Sequence, residues 1–343
     1  MKALVLHGPN TPFDLCTVPD PTPGPGEAVA RVLACGSGLT IQHGKAGRVK
    51  IPFPRIIGHE ITGEIVAVGA GVKCVKAGDA VTAYYYLSCG YCRMCLSQFE
   101  PLCENLAGQV GRECDGGYAE YIKLPAHNYL KLPAALDHKA HPAEIGVITD
   151  ALATPYKVLR RGSVKAGETV AVFGAGGGLG IHQLMLAKWA RTRVIAVDVA
   201  SDKFDACRKA GADEVVDASK GNVVEALLEL TKGRGIDVAI DYVSAQATLE
   251  AAVKSLGKRG RLITLGGAGK PFNIAATDLL GKELSVLGSR YVTRSEIFDT
   301  LDLVARREVW PLVTDVKPMA EAEGVHERVE RGQVVGRAAI LIK

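Results

Sequence analysis

Two hydrophobic rhythms divide the chain. Up to about residue 150, short apolar or alternating runs ("KALVLH", "EAVARVLA", "GEIVAVG", "DAVTAYY", "YAEYIKL") are separated by Gly/Pro-rich turns such as "PDPTPGPGE" and "VKAGD". Runs of that length predict half-buried strands, and together a β-rich, barrel-like half. From about residue 152, strand and helix alternate. "TVAVFG", a helix from about 179, "RVIAVD", a helix from about 202 and "EVVD" come first. A helix from about 222, "VAIDYV", a helix from about 246, "GRLITLG" and "ELSVLGS" follow. Such alternation builds a parallel, doubly wound sheet. A helix near 295–307 precedes a closing apolar strand, "RAAILIK", whose pattern suits a place in either half.

Composition narrows the class. A chain of 343 residues has room for two domains, and 48% hydrophobic with 23% charged residues is the balance of a soluble globular protein. The net charge of +4 is spread without a long basic run, which gives no pointer to nucleic acid. The opening "MKALVLHGPN" is too short for a signal-peptide core. The most apolar window, residues 169–187, is broken by glycines, His182 and Gln183, so neither membrane insertion nor export is expected, and the protein is placed in the cytoplasm.

Nine cysteines is an odd number, which suits metal ligands or buried thiols better than a disulfide framework. "CGYCRMCLSQFEPLC" groups Cys89, Cys92, Cys95 and Cys103 with two, two and seven residues between them. Four thiolates in one short loop close a tetrahedral sphere around a single zinc ion and leave no open position, so the expectation is a structural site. The run lacks the Cys-Pro ending of the bacterial iron–sulfur pattern.

In "VAVFGAGGGLG" a strand runs into a glycine turn, and "RVIAVD" ends the next strand on Asp198. Glycines let backbone approach a pyrophosphate, a helix N-terminus receives it, and the acid binds the adenosine ribose. The cofactor-binding expectation covers Gly174, Gly176, Gly177, Gly178, Leu179, Gly180 and Asp198. Two frames fit: Gly174–Gly176–Gly180 is one residue longer than the usual spacing, and a turn starting at Ala175 uses Gly177 and Gly180. Asp198 repels a 2′-phosphate and no arginine follows it closely, which favours NAD; Lys203 lies within reach of the ribose region.

These features together resemble the medium-chain, zinc-containing alcohol dehydrogenases over nearly the whole chain. "GHEITGEIVAVGAGV" is similar to that family's zinc segment, "AGDAV" to the turn after it, and the four-cysteine loop to its structural lobe. The resemblance implies an α/β architecture: a GroES-like β-barrel catalytic domain over 1–151, with the zinc lobe at 86–110, and a Rossmann coenzyme domain over 152–290. Residues 291–343 would return to the catalytic domain. It further implies His59 as a catalytic-zinc ligand, Glu60 as the adjacent acid, Asp150 as the third ligand and Arg337 as a pyrophosphate contact. Asp150 also precedes a helix-like stretch, so an N-cap role is equally open. Homodimers or homotetramers joined through "ELSVLGSRYV" are the implied assembly.

One stretch departs from the family. Set against Cys-Gly-x-Cys-x-Thr/Ser-Asp-x-His, "CGSGLTIQH" keeps Cys35, Gly36, the relay hydroxyl Thr40 and the terminal His43, but places Gly38 where the zinc-binding cysteine belongs and Ile41 where an aspartate braces the site. A frame with Cys35 as ligand leaves His43 unexplained. His59, Glu60 and Asp150 would then hold zinc less tightly, or not at all, and a second zinc gained by Gly38→Cys would show that the vacancy is at Gly38. The first reading is an NAD-dependent oxidoreductase acting on an alcohol or ketone, cyclic or allylic substrates included, with Thr40 and His43 passing the proton. The second is a zinc-free enone reductase, and the third a non-catalytic NAD-binding regulator.

Overall fold

The computed structural model describes residues 1–266 and 271–342, which form two compact units: Met1–Ala153 with Val292–Lys343, and Thr154–Tyr291. In the first unit the strand Glu27–Ser37 is the hub of a seven-stranded sheet, pairing antiparallel with Glu60–Val68, Tyr121–Pro125 and Arg337–Leu341. A separate three-stranded sheet is made by Asp14–Thr17, Lys2–Leu6 and Arg55–Ile56. Alternation in "EAVARVLACGS" gives way to continuous burial at its C-terminal end, where sheet neighbours and the helix Pro142–Val147 cover both faces.

The closing strand therefore joins the first unit, a choice its apolar pattern left open. Its register pairs Ala338 with Ser37 and Ala339 with Gly36, which sets Arg337 across from Gly38. On the other side of the hub, Gly36 pairs with Glu60. Positions 337, 38, 36 and 60, far apart in sequence, thus come to one end of three adjacent strands.

The second unit is a six-stranded sheet whose described pairs are all parallel. Its spatial order is Glu214–Asp217, Arg193–Asp198, Thr169–Phe173, Ile236–Asp241, Leu256–Thr264, Ser285–Gly288. "TVAVF" is buried at every position, as a central strand covered on both faces must be. The chain's first strand in this sheet has later strands on both sides, so the connections reverse direction at its C-terminal end, where a Rossmann sheet receives its ligand. Among the described residues, no helix is long and apolar enough to cross a membrane.

Candidate active site

The four cysteines of the lobe come together. Cys89, Cys92, Cys95 and Cys103 place their sulfurs within 4.8 Å of one another, with Cys89–Cys95 and Cys92–Cys103 both at 3.9 Å. Four sulfurs about 2.3 Å from a tetrahedral centre stand about 3.8 Å apart, so the cluster has the dimensions of a zinc–thiolate site. The backbone supports the anionic form: the N–H groups of Cys89, Cys92 and Cys95 donate to the sulfurs of Cys103, Cys89 and Cys92. The bond from Cys95, with one from the Glu104 backbone, lowers the Cys92 thiol to about 6. The residues fit zinc, which would tie this loop together without an open coordination position.

In the second unit the glycine turn leaves the buried strand Thr169–Phe173 and enters the helix Gly180–Trp189. Gly174 has φ +73°, and a side chain on Gly180 would come within 2.1 Å of the Gly174 carbonyl oxygen. A Cβ on Gly176 would meet Lys203 at 2.7 Å and Asp198 at 3.3 Å. The frame Gly174–Gly176–Gly180 is therefore the one whose close approaches require glycine. Asp198 accepts the N–H of Gly176 at 2.7 Å and that of Ala200 at 3.0 Å, locking the acid against the turn. Gly177 donates to Gly174, and Gly178 accepts from His182 Nδ1. Among the described residues, the N–H groups of Gly178 and Leu179 donate to no protein acceptor, which leaves them for an anion at the helix start.

The third constellation lies in the first unit. Donor atoms of His59, Glu60 and Asp150 lie within 4.8 Å of one another, all three residues buried. Asp150 sits in a π-helical turn, Ile148–Leu152, inside a continuous helical run from Pro142 to Arg161, so it is not an N-cap. What these groups surround is Arg337. Its Nη2 donates to Glu60 Oε1 at 2.5 Å and to Asp150 Oδ2 at 2.7 Å, with all three side chains less than a tenth exposed. His59 Nε2 stands 3.7 Å from the same Asp150 oxygen. Burial pushes the Glu60 carboxyl up to about 8, Arg337 pulls it down and Asp150 pushes it up again. Its second oxygen, Oε2, is buried without a partner.

Beside this cluster Thr40, Ile41, Ile51, His59, Tyr85 and Arg112 line a narrow crevice. Tyr85 lies against the His59 ring, 4.3 Å between centroids. Thr40 and His43 are on the short helix Leu39–Lys45; Thr40 reaches the crevice, while the charges acting on the half-buried His43 are those of Arg48 and Glu330.

Residues 24–134 match the alcohol dehydrogenase GroES-like domain, and residues 178–306 match zinc-binding dehydrogenase. An alcohol dehydrogenase of Geobacillus stearothermophilus is 34% identical, the match covering 100% of this chain and 99% of that protein. The chain belongs to the zinc-type medium-chain alcohol dehydrogenase family. An acryloyl-coenzyme A reductase of Metallosphaera sedula is also similar, 30% identical with 99% of each chain covered. The solved alcohol dehydrogenase of Aeropyrum pernix superposes with a TM-score of 0.91 at 32% identity, covering 99% of this chain and 100% of that one. As a member of this family the protein is an oxidoreductase on a GroES-like and Rossmann framework.

The residues of this family member do not fit a catalytic zinc. The usual thiolate position is Gly38, and a Cβ there would lie 2.3 Å from Arg337 Nη1 and 2.7 Å from its Cζ. Both carboxylates that would receive the ion already hold the guanidinium. Two unit charges about 4 Å apart interact by about 4 kcal/mol at an effective dielectric near 20, and a dication beside Arg337 would double that repulsion. Cys35 does not replace the missing ligand: its sulfur bonds locally to the Gly36 carbonyl and is not among the converging donors. Arg337, expected at the pyrophosphate, is instead 5% exposed and committed to Glu60 and Asp150. The pairing of the closing strand brings it there, and no local motif announces that pairing.

Sequence reasoning also passed over a buried network behind the crevice. His326 Nδ1 meets Gln42 Oε1 at 2.8 Å, and its Nε2 meets Tyr118 Oη at 2.9 Å and Ser37 Oγ at 3.2 Å. Gln42 lies on the helix that carries Thr40 and His43, so His326 braces that helix from inside. A lone histidine in "EGVHERVE" carries no spacing that would mark it.

Proposed function

We propose that the protein is an NAD(H)-dependent reductase of conjugated carbonyl compounds, with zinc confined to the cysteine lobe and no metal at the reacting centre. The observation that carries this reading is the Arg337 guanidinium spanning Glu60 and Asp150 in the space of the absent ligand at position 38. Oxidising an unactivated alcohol requires its proton to become acidic, which a Lewis-acidic ion supplies in this family's resemblance. Reducing a C=C bond conjugated to a carbonyl needs only donors for the oxygen on which charge develops. Two acryloyl-coenzyme A reductases are among the relatives, at 30% and 29% identity, which supports a polarised alkene as the substrate type.

NAD is the preferred coenzyme on the same physical ground as before: the Asp198 carboxylate, locked beside Gly176, leaves no place for a 2′-phosphate. Alcohol–ketone interconversion is the second reading, favoured by Thr40 in the crevice and by the alcohol dehydrogenase relatives. Steady-state rates with NADH and a cyclic enone, set beside rates with NAD and the matching allylic alcohol, decide between them. Faster enone reduction, with the saturated ketone as product, supports the first; efficient alcohol oxidation with no attack on the C=C bond overturns it. Assembly through the edge strand Ser285–Gly288, three of whose four residues are exposed, is part of the proposal and is read by the mass of the protein in solution.

A further inference from the structure

Arg112 is a cation without a counter-ion. Among the described residues it makes no ion pair; its Nη1 donates to the neutral Gln109 Oε1, and its Nε is buried with no partner. The acid next to it in sequence, Glu113, is spent on the backbone N–H of Gln109 at 2.8 Å. Gln109 Oε1 also accepts from Tyr85 Oη at 3.0 Å, so one amide oxygen fixes both a phenol and a guanidinium at the edge of the crevice.

The loop that carries Arg112 is built against the His59 segment. Gly116 and Gly117 donate to Ile56 and Gly58 at 2.8 and 2.9 Å, and a Cβ on Gly116 would come within 2.1 Å of the Gly58 carbonyl oxygen. Gly111, with φ +78°, packs on Gly58 in the same way. The loop therefore brings Arg112 to the crevice that His59, Ile41, Ile51 and Ile57 also line. Its guanidinium has no negative partner, and the apolar walls of the crevice strengthen a contact with an electron-rich atom that enters there.

We propose that Arg112 seats an electron-rich oxygen of the substrate, conjugated to the carbon that receives hydride. This rests on the metal-free reductase reading and names its substrate class: α,β-unsaturated compounds that offer Arg112 either a neutral carbonyl oxygen or a carboxylate. NADH gives hydride to the β-carbon and leaves as NAD⁺, and the alkene pair shifts through the α-carbon toward the oxygen. The enolate formed there faces Arg112 and then takes a proton from water at the α-carbon. The guanidinium acts where charge develops, the task of an oxyanion-binding donor.

The test compares wild type, Arg112→Met and Arg112→Lys with NADH and three probes: an enone, an α,β-unsaturated thioester and an α,β-unsaturated acid. NADH affinity and zinc content verify that the variants fold. On the probe that wild type reduces best, Arg112→Met is expected to lose about 10²–10³-fold in kcat/KM, with Arg112→Lys recovering part of the loss. The loss falls on kcat when the oxygen is a neutral carbonyl and on KM when it is a carboxylate, which separates the two sources. If wild type reduces a probe and Arg112→Met stays within about twofold in both constants, the role of Arg112 is wrong while the reductase reading stands. If wild type reduces none of the three, both fall.

Discussion

Gly38 has φ −147° and ψ 179°, a conformation any residue adopts, so its backbone does not call for glycine. The space does: the guanidinium of Arg337 lies where a side chain at 38 would begin. Gly38→Cys by itself should not admit a second zinc, because the new thiol meets a cation held by two carboxylates; elemental analysis of the variant should still give one zinc per subunit. Adding Arg337→Ala to it frees Glu60 and Asp150 and should raise the count toward two. Arg337→Ala alone leaves two buried carboxylates without their cation and should cost about 3–5 kcal/mol, read by urea denaturation. The ligand-type residues were legible in "GHE" and "TDA", and the cation among them was not. Arg337 reaches them only through a strand register, which depends on the pairing of segments some 300 residues apart.

The rhythm of apolar positions marked the strands and helices of the parallel sheet well, because a buried strand such as "TVAVF" and the glycine turn after it are local signals. The π-helical turn under Asp150 was missed for the opposite reason: in "IGVITDALATPY" the polar Thr149, Asp150 and Thr154 fall among small and apolar residues in no period that would separate one helical pitch from another. At the turn, Gly180→Ala forces a Cβ onto the Gly174 carbonyl and should weaken NADH binding about 10–100-fold, measured by fluorescence titration, while the zinc content stays unchanged. The helix Ala322–Glu330 gives a pH signature through His326. Burial, aided by Lys45, lowers this imidazole to about 3, and the groups around it are Tyr118, Ser37, Gln42 and the Lys45–Glu323 pair. The unfolded chain takes up its proton near 6.5 and the folded one does not until about 3, so stability is lost as pH falls through that interval. Thermal midpoints between pH 7 and 4 should fall less steeply in His326→Gln than in wild type; parallel curves would contradict the assignment.

Across the whole molecule, zinc and dinucleotide chemistry are divided between two units. The family, the fold and the cysteine lobe were visible in the sequence because each rests on short spacings: four cysteines within fifteen residues, three glycines after a strand, an acid at the end of the next strand. The reacting centre was visible only as a departure, a glycine in place of a cysteine, and its meaning depended on what the fold brings into the gap. One buried guanidinium stands in the gap at position 38, between Glu60 and Asp150. Zinc counted by mass spectrometry on protein first saturated with the ion and then freed of excess tests that placement most directly. One zinc per subunit is expected, lost when Cys92→Ser opens the lobe; a second tightly held ion beside His59 would contradict the guanidinium's place there.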